Sequence, residues 1–145
     1  MHNNTQAEAL KSIFCTNFLE SQEIDISKEE LKSIKSNTLI KIDATKLKLF
    51  VVNGSLRFSK CYLKYKDGYF FVEFSSSKKG KKYEQKALKK SFKLKIYKNL
   101  SFIEESNFLL SKEPLRAFIS NGKRDFAKVD IYFDKHFYLE VKELL

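Results

Sequence analysis

Between Lys78 and Lys98 the chain carries ten lysines, at 78, 79, 81, 82, 86, 89, 90, 93, 95 and 98, and one acid, Glu84. An ammonium group that neutralises a phosphate releases that phosphate's condensed counterion, so a block of this kind suits contact with a nucleic-acid backbone. Tyr83, Phe92 and Tyr97 are interleaved with the lysines. Such rings can stack on bases, which favours single strands. The block holds no arginine, the residue that reads base edges in bidentate fashion, so binding is expected to be largely insensitive to base sequence. The expected contact residues are Lys78, Lys79, Lys81, Lys82, Tyr83, Lys86, Lys89, Lys90, Lys93 and Lys95. The plain alternative is a lysine-rich solvated face. With 28 Lys+Arg against 18 Asp+Glu the whole chain is formally +10, so the block holds nearly all of the surplus.

Other chemistry is sparse. The histidines are His2, at the terminus, and His136, in an expected turn, so their spacing argues for neither a paired-His metal site nor a Cys–His nucleophile. Cys15 and Cys61 lack C-x-x-C spacing and read as reduced, buried thiols. Gly54, Gly68, Gly80 and Gly122 are isolated turn residues rather than a phosphate loop. No cofactor is expected from these patterns.

The scaffold follows from length and periodicity. At 145 residues, 43% hydrophobic and 14% aromatic, with 4 Gly and 1 Pro, the sequence is that of one folded domain and not of a disordered or fibrous chain. Met1-His2-Asn3-Asn4 opens no signal peptide, and no window nears the ~18 apolar residues of a membrane span, so a cytoplasmic protein without a membrane partner is expected. Thr5-Gln6-Ala7-Glu8 forms a capping box ahead of Ala7, Leu10, Phe14 and Phe18, predicting an amphipathic helix over about 6–19. Ser27-Lys28-Glu29-Glu30 opens a second helix to about Ile34, after a brief strand near Ile24.

The rest of the chain repeats itself. Phe50-Val51-Val52-Asn53-Gly54, with Phe58 and Lys60, recurs 68 positions later as Phe118-Ile119-Ser120-Asn121-Gly122, with Phe126 and Lys128. Phe70-Phe71-Val72-Glu73 answers Phe137-Tyr138-Leu139-Glu140 after a turn one residue shorter. Each half reads as a strand (Thr38–Ile42, Asn107–Leu110), a helix capped by Asp43 or Ser111 and stopped at Asn-Gly, then a hairpin. Between the halves, residues ~83–90 suggest a helical turn and Ser91–Lys98 a strand with one apolar and one lysine face. The expected fold class is therefore α+β: two similar strand-helix-hairpin halves, about 38–75 and 106–143, forming one mainly antiparallel sheet with helices on one face. Residues 1–35 would be an N-terminal helical segment packed on this duplicated 36–145 domain. Lys46, Lys48, Lys112 and Arg116 would stand on the outer faces of the repeated helices and join the expected nucleic-acid contacts.

Two resemblances bear on function. The segment Phe108-Leu109-Leu110-Ser111-Lys112-Glu113-Pro114-Leu115-Arg116-Ala117-Phe118-Ile119 with the hairpin through Val141, and its counterpart from Ile40 to Phe74, resembles a DNA sliding-clamp domain over about 38–143. That resemblance implies basic helices facing a duplex and a groove for a partner peptide. The chain differs in holding one such domain rather than the two or three of clamp chains. Asp130 followed by Glu140-Val141-Lys142 resembles the Asp…Glu-x-Lys signature of the restriction-endonuclease-like nucleases. It would imply two carboxylates holding Mg²⁺ and a lysine that positions or activates water. The sequence thus points first to a non-enzymatic, largely sequence-independent nucleic-acid-binding module. The alternatives are a protein-interaction or assembly module, docking through the N-terminal helix and an exposed C-terminal edge strand, and a metal-dependent nuclease built on Asp130, Glu140 and Lys142.

Overall fold

Leu47, Leu49 and Val51 are buried while Lys48 and Phe50 between them are half-buried, an alternation of period two. In the computed structural model, which describes residues 18–54, 56–76, 80–83, 86–97 and 107–145, this segment is a β-strand and not a helix. Leu115, Ala117 and Ile119 repeat the alternation in a second strand where the other helix was expected. The α+β reading with helices on one face is therefore corrected. Short segments whose apolar residues fall both two apart and three or four apart fit both periods, and pairing on both flanks decides for the strand. Asn53-Gly54 and Asn121-Gly122, which could stop a helix, here turn hairpins.

The elements are β1 (Phe18–Ser21), β2 (Ile24–Asp25), α1 (Lys28–Lys32), β3 (Leu39–Ile42), β4 (Leu47–Asn53), β5 (Leu56–Lys66), β6 (Tyr69–Ser76), β7 (Lys81–Lys82), β8 (Ser91–Tyr97), β9 (Asn107–Lys112), β10 (Leu115–Ser120), β11 (Asp125–Asp134) and β12 (His136–Leu144). Helix α1 is where the second capping box placed it, with the Ser27 hydroxyl accepting from the Glu30 amide at 3.0 Å. Most of the helix expected at 6–19 lies outside the described residues; its last two positions, Phe18 and Leu19, belong to β1 in the middle of the sheet. The helical turn expected at 83–90 is not formed by the described part of that stretch. Pro114 sits in the bend between β9 and β10 instead of a helical first turn.

The strands pair antiparallel in the order β3-β12-β11-β10-β8-β1-β4-β5-β6-β9, with β7 on β5 and β2 on β8. That order reads the same from both ends once each strand is exchanged for its counterpart in the other half. The registers agree as well. Leu47↔Leu63, Lys48↔Tyr62, Leu49↔Cys61 and Phe50↔Lys60 recur as Leu115↔Ile131, Arg116↔Asp130, Ala117↔Val129 and Phe118↔Lys128. A bulge follows each set before Val52↔Arg57 and Ser120↔Asp125. The chain thus has a pseudo-twofold axis, and it passes between β1 and β8. Glu20 pairs with Phe50 and Lys95 with Phe118, and Glu20 and Lys95 oppose one another.

The halves are interlocked. β3 precedes β4 in the chain but pairs with β12 of the other half, and β9 precedes β10 but pairs with β6. Strand β12 is consequently flanked on both sides, so among the described residues the ends of this strand order are β3 and β9 and not the C-terminal strand. We call β4–β5–β6 with β9 the first arm and β10–β11–β12 with β3 the second. The arms face each other across the core. Phe70 meets Phe137 at 6.3 Å between ring centroids, and Tyr65 meets Phe133 at 5.2 Å. Both are pairs of equivalent positions. Between the arms, Leu19, Leu49, Cys61, Leu63, Leu94, Ile119, Ile131 and Leu139 are fully buried in one cluster. Burial pushes the Cys61 thiol up to about 12, so it stays a protonated, unreactive thiol. Among the described residues no helix is long and apolar enough to cross a membrane.

Candidate nucleic-acid interface

The lysine block maps onto the connection between β6 and β8. Lys82 pairs with Leu56 near the turn after β4, Tyr83 reaches Glu20 over the central strands, and Leu88 N–H donates to the Asn121 carbonyl at 2.7 Å. The described parts of the connection, 80–83 and 86–90, therefore lie on the outer face of the sheet, the first beside one Asn-Gly turn and the second beside the other. Gly122 admits this crossing. Its φ is +96°, and a Cβ there would run into the Lys86 carbonyl. Lys81, Lys82, Lys86, Lys89 and Lys90 are exposed along the crossing; Lys78, Lys79 and Lys98 lie outside the described residues.

Lys93 and Lys95 are placed differently. Both stand on the face of β8 opposite Phe92, Leu94 and Ile96, as alternation demands, but that face is buried at its centre. Lys93 Nζ lies 3.2 Å from Glu20 Oε1 and donates to the Tyr83 hydroxyl at 2.9 Å. Lys95 is 4% exposed and pairs with Asp125 at 3.7 Å. The Tyr83 hydroxyl donates to Glu20, and the Tyr97 hydroxyl to Asp125 at 2.6 Å. Burial first, then these bonds to carboxylates, push both phenols above the ordinary 10.0. The unfolded chain releases those protons near pH 10 while the folded chain holds them. Their contribution is therefore complete below pH 10 and is lost as pH rises beyond it. The thermal midpoint should fall above pH 10, and less steeply in Tyr83→Phe/Tyr97→Phe; parallel curves for the two proteins would exclude this origin.

The exposed faces of the two arms differ in charge although their backbones correspond. On the first arm Lys46 Nζ lies 4.8 Å from the Tyr62 ring centroid and Lys60 Nζ 5.9 Å from it, while Lys48 Nζ lies 5.9 Å from the Phe50 centroid. Lys64 completes the set and is bonded to Glu73 at 3.0 Å. On the second arm Asp130 stands where the first has Tyr62. There Arg116, Lys128 and Lys142 share the surface with Asp130, Glu140 and Glu143, and Lys128 and Lys142 are paired to Glu143 and Glu140 at 3.6 and 3.2 Å. Cations outnumber acids on the first face and balance them on the second. Lys46, Lys48, Lys112 and Arg116, expected on helices, thus stand on strands or the bends beside them, with Lys112 at the end of edge strand β9.

The sequence also singled out Asp130, Glu140 and Lys142, and these do come together. Asp130 and Glu140 are cross-strand partners, and the Lys142 ammonium donates to Glu140 at 3.2 Å. That hydrogen bond, then the Glu140 and Asp130 charges, hold Lys142 protonated to higher pH than usual, which opposes a role as base. What the sequence reading does not assign to the site is the lysine face of β5. Phe58, Lys60, Tyr62 and Lys64 alternate with the buried Cys61 and Leu63, and that signal was already visible in the strand pattern. Arg57, stacked 3.3 Å above the Phe50 ring centroid, was likewise missed. No protein-family model matches the chain, and no curated protein is significantly similar to it.

Proposed function

We propose that the chain is a non-enzymatic nucleic-acid-binding module that takes single strands through the outer face of its first arm. The observation that carries this reading is the lysine face of the first arm, with Lys46 and Lys60 beside the Tyr62 ring and Lys48 and Lys64 next to them on β4 and β5, continued by the exposed lysines of the crossing connection. A base can stack on the tyrosine while ammonium groups meet the flanking phosphates, and neither interaction depends on base identity. Duplex recognition by paired basic helices, which the clamp resemblance implied, loses its footing because those residues are strands.

Fluorescence anisotropy with single-stranded DNA, duplex DNA and RNA across a salt series tests the proposal. Single strands should bind best, with log affinity falling linearly in log salt. Lys46→Glu/Lys48→Glu should flatten that slope by about 0.7 for each phosphate that is no longer neutralised. Tyr62→Ala should weaken binding roughly tenfold, within the ~1–3 kcal/mol of one stacked base. Affinity indifferent to salt removes the reading. A second reading, an assembly module, draws on the two edge strands, where Leu39 is 66% and Leu109 60% exposed; light scattering at rising protein concentration separates it.

A further inference from the structure

Arg57, Lys81, Lys82, Tyr83 and Lys93 line a cavity of about 250 Å³ where the crossing connection meets β5. Its cations are held in place by neighbours. The Arg57 guanidinium lies flat on Phe50, 3.3 Å from the ring centroid, and 5.8 Å from the Tyr83 ring. Stacking of this kind fixes the plane of the fork and leaves its N–H edge for a planar or tetrahedral oxyanion. Arg57 Nε is buried and has no hydrogen-bond partner among the described residues. Lys93, whose side chain is 15% exposed, is anchored by Glu20 and Tyr83. Four cations therefore face this space against Glu20 and the more distant Glu23, both of which Tyr83 senses.

We infer that this cavity binds a phosphate group at the end of a strand, an inference that rests on the nucleic-acid reading and adds an end preference to it. Its volume falls below the roughly 300–1,000 Å³ of pockets for drug-sized ligands, which suits a phosphoryl group better than a whole nucleotide. A terminal phosphomonoester carries up to two charges and a single ester substituent, so it can enter a concave site that a mid-strand diester, with a chain leaving on both sides, fills less well. Arg57 supplies the bidentate contact, and Lys81 and Lys82, exposed at the rim, supply point charges.

Two measurements test this. Inorganic phosphate, titrated against chloride at equal ionic strength, should shift the Arg57 Nε–H resonance and saturate. Single-stranded oligonucleotides ending in a 5′-phosphate, a 3′-phosphate or hydroxyls only should differ, one phosphorylated end binding about tenfold tighter than the hydroxyl-ended strand. That ratio should fall to about one in Arg57→Gln and, independently, in Lys81→Gln/Lys82→Gln, whose exposed positions leave folding intact. No resonance shift together with equal affinity for all three ends overturns the inference. A saturating phosphate shift with no oligonucleotide bound supports the anion pocket while overturning the nucleic-acid reading.

Discussion

Glu20→Ala should lower the unfolding free energy by about 3–5 kcal/mol, the range found when one partner of a buried ion pair is removed. Glu20 is 2% exposed, accepts from Tyr83 and lies 3.2 Å from Lys93. Truncation leaves the Lys93 ammonium and the Tyr83 phenol without their buried acceptor, beside the further cations Arg57, Lys81 and Lys82. Against a typical total of about 5–15 kcal/mol, that loss is roughly a fifth or more of the stability of a domain. The pair itself contributes far less than its disruption, because desolvating two charges offsets most of their attraction. The double variant Glu20→Leu/Lys93→Met should therefore recover most of the lost stability. Chemical denaturation of the four proteins of the cycle measures this, and a double variant as unstable as the sum of the singles would contradict it.

Dividing the chain in the connection after β6 should abolish folding of both pieces, the larger of the two expected effects. A fragment ending at residue 80 keeps β1 and β3–β6 but removes β12, the strand on which β3 pairs. The fragment from residue 81 keeps β8–β12 but removes β6, the strand on which β9 pairs. Each piece also loses the opposite side of the Phe70–Phe137 contact. Chains of this length are marginal even with a complete core, burying about 60% of their unfolded surface. Circular dichroism should show no cooperative transition for either piece alone, and an equimolar mixture should regain one. Cooperative unfolding of a single piece would show that the strand exchange is dispensable.

The doubling was legible in the sequence because it is written in residue types at constant spacing; which secondary structure those types adopt was not. Leu47, Phe50 and Val51 lie three and four apart as on a helix, yet Leu47, Leu49 and Val51 lie two apart as on a strand. Local pattern could not choose between them, and the choice came from β1 and β5 lying on either side. Asp43 and Ser111, sound helix caps in isolation, were overridden in the same way. The strands of the hairpins and β8 were legible because their alternation had no helical rival. At the candidate interface the lysine block was visible from composition, but Lys93 and Lys95 look like their exposed neighbours until β1 and β11 bring Glu20 and Asp125 beside them. Arg57 was invisible as a site because the Phe50 ring, its neighbour across the β4–β5 hairpin, is joined there by Lys81, Lys82 and Tyr83 of the crossing connection and Lys93 of β8, which lie far along the chain.

The position of the pseudo-symmetry axis limits how such a protein could be assembled. Glu20 and Lys95 are equivalents of one another and face each other across β1 and β8, and the equivalents Arg57 and Asp125 are likewise opposite in sign. Two identical subunits obeying a true dyad must present the same side chain at both places, so acid would meet acid or base would meet base in a dry centre. Covalent fusion lifts that restriction. Once the copies share one polypeptide they can diverge into complementary partners, and the centre of the sheet becomes a lock that no homodimer of either half could reproduce.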